Sequence, residues 1–287
     1  SVGPTPNVTL KPDVVAPGVD IASARANNTF MGEPASLYHI YASGTSMSTP
    51  HVAGYAALII DYLNSTGLLN NITSILNIPI SFIVKDIIVS TASELGYEPL
   101  VEGAGLINIT KFVELASNSK LLIVHPARTD IVGFEDLRTT NITLVNPFST
   151  QINVSVSSVL VSWRGVVESY PVSEAISVEP SNVIIPPNSH KNITLRIDLS
   201  KIPTGYHALK VYFINEDGKV LGKTLIGISR PVKLIVNASY LGSPVPMFAM
   251  AVGYSPVLGI NILSGFDWGW SSGGYGNVTL YPLYPDS

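Results

Sequence analysis

A chain of 287 residues, 46% of them hydrophobic and only 13% charged, has ample material for cores, and its length suits two domains plus a partial third. The formal net charge is −4 with no basic block, which excludes the electrostatic footprint of a nucleic-acid binder. Cysteine is absent, so a disulfide framework and thiolate metal sites are excluded as well.

In chain order, "DVVAPGVDI" (13–21) predicts a short buried strand broken at Pro17-Gly18, and "SLYHIYASG" (36–44) predicts an extended lead-in to a turn. From Ser46 to about Leu63 the pattern is helical. Small residues Ala53, Gly54, Ala56 and Ala57 permit close backbone approach, while Val52, Ile59, Ile60 and Leu63 are available for burial, so this helix is expected inside a core. Gly67 closes it after "NST". A second helix is expected over Ile80–Ala92, and "EGAGLINITKFVELAS" (102–117) reads as a turn, a short strand and a final helix.

From Lys120 the periodicity switches to alternation, as in "QINVSVSSVLVS" and "YHALKVYFINEDGKVLGKTLIGIS". Short strands parted by Pro, Gly and Asn turns, with a hairpin signal at Asp217-Gly218, predict an antiparallel sandwich of about 110 residues. No charge occurs from Leu234 to Phe266, and the mean hydropathy is +0.34. Pro244, Pro246, Pro256 and four glycines interrupt that stretch too often for a lipid-exposed helix, so buried strands and turns are expected and no transmembrane segment. Residues from Val236 onward read as the opening of a further β domain.

Ten Asn-x-Ser/Thr sequons occur, at Asn7, Asn27, Asn64, Asn71, Asn108, Asn141, Asn153, Asn192, Asn237 and Asn277. Composition alone would give roughly three, so N-linked glycans and an extracellular or cell-surface location are expected. The chain begins with neither a methionine nor a basic segment, which predicts the interior of a longer precursor.

The stretch "YASGTSMSTPHVAG" (41–54) carries the chemistry. A nucleophilic serine is best mounted where an extended strand turns sharply into a helix, because the turn projects its oxygen while the helix N-terminus aims N–H groups at developing negative charge. Gly44 permits the turn, Ser46 presents the hydroxyl and a backbone N–H, and Pro50 is expected in the first helical turn, where a missing N–H costs little. His51 lies five residues along the same helix, about 140° around and roughly 7.5 Å up from Ser46, which turns it into the packing. His39, His125, His190 and His207 read as packed or surface histidines.

"SGTSMSTPHVAG" resembles the nucleophile signature of the subtilisin-like serine proteases, and "KPDVVAPGVDI" is similar to the strand before it in that family. "VKDIIVSTA" and "EGAGLINITKFVELA" are similar to the family's closing helices, so the resemblance covers residues 1–119. Acid-active relatives that pair serine with glutamate share a Gly-Thr-Ser turn, but Met47 and His51 fit the subtilisin pattern better.

The resemblance implies an α/β subtilisin-like fold, incomplete and C-terminal, followed by all-β sandwich domains. Ser46 becomes the catalytic nucleophile and its N–H an oxyanion donor, with Thr45 supporting. No cofactor or metal is implied. The family's aspartate, histidine and oxyanion asparagine precede the serine by more than the 45 residues available here, so they are expected on an N-terminal piece acting as partner, with peptides or proteins as substrates. Asp13 is expected to make a structural ion pair. The region 120–235 resembles a fibronectin-III-like module, and 236–287 the start of a carboxypeptidase-regulatory-like sandwich. The rival expectation is a catalytically inert protease-fold scaffold in a glycosylated cell-surface structure.

Overall fold

The computed structural model describes residues 3–5, 9–28, 32–134, 136–161 and 174–230 in full, and the backbone of 162, 168–170, 232–237, 239–240, 243–244, 249–255, 260–267 and 275–280. Three short strands come first. β1 (Ile21–Ala24), β2 (Glu33–Pro34) and β3 (His39–Ala42) form an antiparallel sheet in the order β1-β3-β2, with Ile21 opposite Ala42. Five helices follow: α1 (Thr45–Ser65), α2 (Leu68–Leu76), α3 (Ile80–Thr91), α4 (Pro99–Glu102) and α5 (Ile109–Ser117).

α1 ends where expected, at a break containing Gly67 with φ 74°. It buries Tyr55, Ile59 and Leu63, one residue per turn, against α3 and α5. Phe112 of α5 meets Tyr55 and Tyr62 edge-on, with ring centroids 6.2 and 5.3 Å apart. The opposite flank is uncovered: Ala53 and Ala57 are exposed and Leu58 is 53% exposed. α1 is therefore half in a core, where the sequence predicted a helix within one. α2 was not predicted. Its signal is present in Leu68, Leu69, Ile72, Ile75 and Leu76, but Asn70, Asn71, Thr73 and Ser74 between them are poor helix formers.

The strand predicted over 13–21 is corrected. Only Val15 pairs, in a single parallel bridge to Leu106, and the ladder begins later, at Ile21. Pro12 and Pro17 bracket Val15 and lack the N–H groups that would extend a ladder. Pro50 is also corrected: it is the sixth helical residue and not in the first turn, so α1 lacks the N–H that would bond the Ser46 carbonyl.

From Ile123 the described elements are strands, apart from a short 3-10 helix at Leu199–Lys201. One sheet has the order β4 (Ile123–His125), β6 (Leu137–Asn146), β11 (Ser189–Asp198), β9 (Ile176–Glu179). The other runs β10 (Asn182–Ile185), β7 (Ile152–Ser162), β12 (Gly205–Ile214), β13 (Val220–Arg230), β5 (Arg128–Val132), with β8 (Glu168–Tyr170) also on β7. β12 and β13 are joined at Asp217-Gly218, as expected, with Gly218 at φ 76°. The prediction of a wholly antiparallel arrangement fails at one edge, because β5 runs parallel to β13. Inward residues of both sheets, among them Leu144, Leu195, Leu209 and Phe213, share one core. Six later strands pair two by two, β14 (Val232–Asn237) with β19 (Tyr275–Leu280), β15 (Ser239–Tyr240) with β16 (Ser243–Pro244), and β17 (Ala249–Ser255) with β18 (Ile260–Asp267).

The helical segment and the sheets are not separate bodies. α3 packs on β4 and β13, and the core that holds Tyr55 and Ile83 is continuous with that of the sheets. Polar pins cross the same boundary. Asp86, 2% exposed, accepts from Ala127 N at 2.8 Å and pairs with His125 Nδ1 at 2.9 Å, a bond that raises His125 above the ordinary imidazole range. Lys223 Nζ donates to the Ala104 carbonyl at 2.5 Å, Lys210 Nζ lies 2.9 Å from Glu94, and Tyr212 donates to the same carboxylate at 2.9 Å.

Two sequons face one another across β6 and β11. Asn141 stands opposite Thr194 and Asn192 opposite Thr143, and each asparagine Oδ1 accepts from the opposing threonine Oγ1 at 3.0 Å.

Candidate active site

β3 delivers an extended chain into Gly44, which takes φ 147° and ψ 168°, and α1 begins at the next residue. Ser46 is the second helical residue and is exposed. Its backbone N–H is among the first four of the helix, which have no carbonyl within the helix to bond, and the aligned peptide dipoles place partial positive charge there. The Ser46 hydroxyl and its own N–H thus share one exposed corner. That arrangement can present an oxygen nucleophile and stabilise an oxyanion.

The turn is tied to the segment before it. Gly44 N donates to the Gly18 carbonyl at 2.7 Å, Met47 N to the Gly44 carbonyl at 3.0 Å, and Ser48 Oγ to the Ala16 carbonyl at 3.0 Å. Gly18 must be glycine here: a Cβ would run into Ser48 Oγ and lie 2.9 Å from the Gly44 carbonyl oxygen. Thr45, beside the nucleophile, is exposed, and its carbonyl accepts from Thr49 Oγ1 at 3.0 Å.

Each histidine is engaged elsewhere or set apart. His39 meets Ser36 Oγ at 3.0 Å, His51 the Met47 carbonyl at 2.9 Å, His125 Asp86, and His207 the Pro203 carbonyl at 2.9 Å; His190 is exposed on β11. His51 is exposed where the sequence predicted a packed residue, because its face of α1 is the uncovered one. Asp13 is confirmed in an ion-pair cluster with Lys11, Lys85 and Arg128. Burial pushes its carboxyl up, but the three cations outweigh that and hold it below the usual range. Sequence reasoning missed Ser48 and Arg128, whose roles arise from contacts 32 and 115 residues away in the chain.

Beside the turn, a groove of about 530 Å3 runs between Pro12–Ala16 and α1, lined by Val14, Val15, Val52, Ala53 and Ala56 as well as Thr45 and Ser48. Among the described residues, no group of three or more histidines, aspartates and glutamates is placed to hold a metal.

Of the sequon asparagines, Asn27, Asn64, Asn71, Asn141, Asn153 and Asn192 are exposed. Asn7 lies outside the described residues, as do the side chains of Asn237 and Asn277. Asn108 departs from expectation. It caps α5, its Oδ1 accepting from Lys111 N at 2.8 Å and its Nδ2 donating to Ser93 Oγ at 2.8 Å, so its amide is already in use. Among the described residues no single helix is long and apolar enough to cross a membrane; α1 and α2 would reach that length together but are bent by 97°.

Residues 1–114 match the family model described as the subtilase family. This part of the chain is similar to the subtilases. The chain is 24% identical over 228 residues to the PII-type proteinase of Lactococcus lactis subsp. cremoris, a match covering 70% of this chain and 11% of that protein. Pyrolysin of Pyrococcus furiosus is 34% identical over 123 residues, 40% of this chain and 8% of its own length. The CO(2)-response secreted protease of Arabidopsis thaliana is 50% identical over 54 residues, 17% of this chain and 7% of its own. The chain thus spans about a tenth or less of the length of these relatives. A solved tripeptidyl peptidase 2 overlays with a TM-score of 0.40 at 14% identity, covering 85% of this chain and 25% of that one, a likeness too loose to bear on the fold.

Proposed function

We infer that this chain is the nucleophile-bearing part of a subtilisin-like serine endopeptidase that acts outside the cell or at its surface. The observation that carries the reading is the exposed Ser46 hydroxyl at the N-terminus of α1, within the segment that matches the subtilases. Ser46 attacks a peptide carbonyl, its own N–H helps hold the oxyanion, and water later releases the acyl group. The base is a histidine oriented by an aspartate, both supplied with an oxyanion asparagine by an N-terminal piece. The uncovered flank of α1 and the apolar groove beside it support a neighbour of that kind, since an apolar helix face this large is ordinarily covered. Thr45 borders the groove and supports the turn. The region 120–235 serves as a fibronectin-III-like sandwich and 236–287 opens a carboxypeptidase-regulatory-like one. N-linked glycans sit at the exposed sequons, with Asn108 removed from that set.

The complete protease is treated with a fluorophosphonate and the adduct mapped by peptide mass spectrometry. Labelling at Ser46 is expected. Labelling at another serine in a casein-degrading preparation would sink the assignment, and no labelling with no activity would favour the inert-scaffold reading.

A further inference from the structure

We propose that Arg128, on the edge strand β5 of the sandwich, is a positioning residue for Ser46. Its guanidinium grips the segment on which the nucleophile turn rests. Nη1 donates to the Leu10 carbonyl at 2.7 Å and to Asp13 Oδ1 at 2.8 Å, while Nε lies 3.1 Å from Asp130 Oδ2. Asp130 completes the grip, its Oδ1 accepting from Leu10 N at 2.7 Å. Both backbone groups of Leu10 are therefore held by one strand of the sandwich, and the Leu10 side chain is fully buried against Tyr206, Ala208 and Leu225 of β12 and β13.

The grip is passed along an extended segment. Between Asp13 and Val15, three rungs fix the chain to the loop before α5: Ala104 N donates to the Asp13 carbonyl at 2.9 Å, Val15 N to the Gly105 carbonyl at 3.0 Å, and Ile107 N to the Val15 carbonyl at 3.0 Å. Ala16 and Gly18 then offer their carbonyls to Ser48 Oγ and Gly44 N, one on each side of Ser46. The six residues from Asp13 to Gly18 span at most about 20 Å, and their ties link a residue of the sandwich to the serine turn. Arg suits the task and Lys does not: only a planar fork reaches a carbonyl and two carboxylates at once. A residue that fixes the turn without touching substrate alters the reaction through placement, and placement errors of an ångström are worth up to about 100-fold in rate.

This inference rests on the proposed nucleophile, and the experiment separates the two. In the complete protease, fluorophosphonate titration counts competent Ser46 sites, and a fluorogenic peptide gives kcat and KM per titrated site. Arg128→Met removes the grip at the far end, and Ser48→Ala removes the tie at the near end. Each is expected to lower kcat per site by about tenfold with KM within about twofold, and the double variant to be little worse than the poorer single one, because both cut the same relay. Arg128→Lys, which keeps a cation beside Asp13 and so guards against a failure to fold, is expected to fall several-fold. A purely stabilising Arg128 would lower the number of titrated sites and the melting temperature and leave kcat per site unchanged. Folded Ser48→Ala and Arg128→Lys proteins with kcat per site within twofold of the parent would overturn the proposal. Absence of Ser46 labelling in the unmutated protease would overturn the nucleophile assignment itself, before any variant is read.

Discussion

At the residue scale, Lys223 is a buried cation. It is 2% exposed, and burial lowers its ammonium to about 8 despite the carboxylate of Glu94, with Lys111 and Lys210 adding to the depression. Below pH 8 both folded and unfolded chains carry the proton, and the folded one bears the full penalty of a buried charge. Between pH 8 and about 10.4 the folded chain sheds the proton while the unfolded chain keeps it, so stability rises with pH, by at most about 3 kcal/mol. Tyr206 and Tyr212, whose hydroxyls are pushed above the ordinary phenol range, first by burial, reverse the trend above about pH 10. Urea midpoints at pH 7.5 and 9.5 should therefore climb in the parent protein, and the climb should shrink in Lys223→Met to what Lys111, also lowered by burial, contributes; equal slopes in the two would refute this account. At Gly18 the prediction is steric. Gly18→Ala forces a Cβ into Ser48 Oγ and toward the Gly44 carbonyl, at a cost of about 1–3 kcal/mol, and reactivity of Ser46 toward fluorophosphonate should drop with it. Unaltered labelling rates would show that the turn yields freely.

Among the elements, α5 and α1 show what a local pattern can and cannot reveal. Asn108 reads in sequence as one more glycan acceptor, yet three-dimensionally it is the cap of α5 and a donor to Ser93. Asn108→Ala should destabilise the protein by about 1–2 kcal/mol in thermal or urea unfolding, and mass spectrometry should find Asn108 bare while Asn64 carries sugar. A glycan on Asn108 in the folded protein would contradict the capping role. The bounds of α1 and α3 and the hairpin at Asp217-Gly218 were legible because each is written in local chemistry: periodic apolar residues, a glycine stop, an Asp-Gly turn. The single bridge at Val15, the parallel strand β5 and the outward-facing His51 were not, since each depends on what lies alongside and nothing within a few residues records it. The serine turn was legible in full; its ties to Ala16, Gly18 and Arg128 were not.

At the scale of the whole molecule, the division suggested by the change of periodicity at Lys120 does not correspond to a gap in the packing. Ile83 and Ile87 of α3, Leu122 and Val124 beside them, and Leu144 and Val211 of the two sheets belong to one continuous apolar cluster. Truncation after Ser119 would expose the faces of α3 and α5 that now meet the sheets, and residues 1–119 produced alone should aggregate. A soluble fragment with a cooperative melt would show that the helical segment is self-sufficient. Glycan mapping of the native protein should find most of the exposed sequons occupied; fewer than about three would leave the sequon excess as composition only. The facing pair Asn141-Ile142-Thr143 and Asn192-Ile193-Thr194 adds a clock to that experiment. A transferase reading this tripeptide needs the threonine hydroxyl, and in the folded sheet both hydroxyls are donated across the strands to the other tripeptide's asparagine. Sugar at these two sites can then be added only before β6 and β11 zip together, so their occupancy records whether glycosylation of the chain outran its folding.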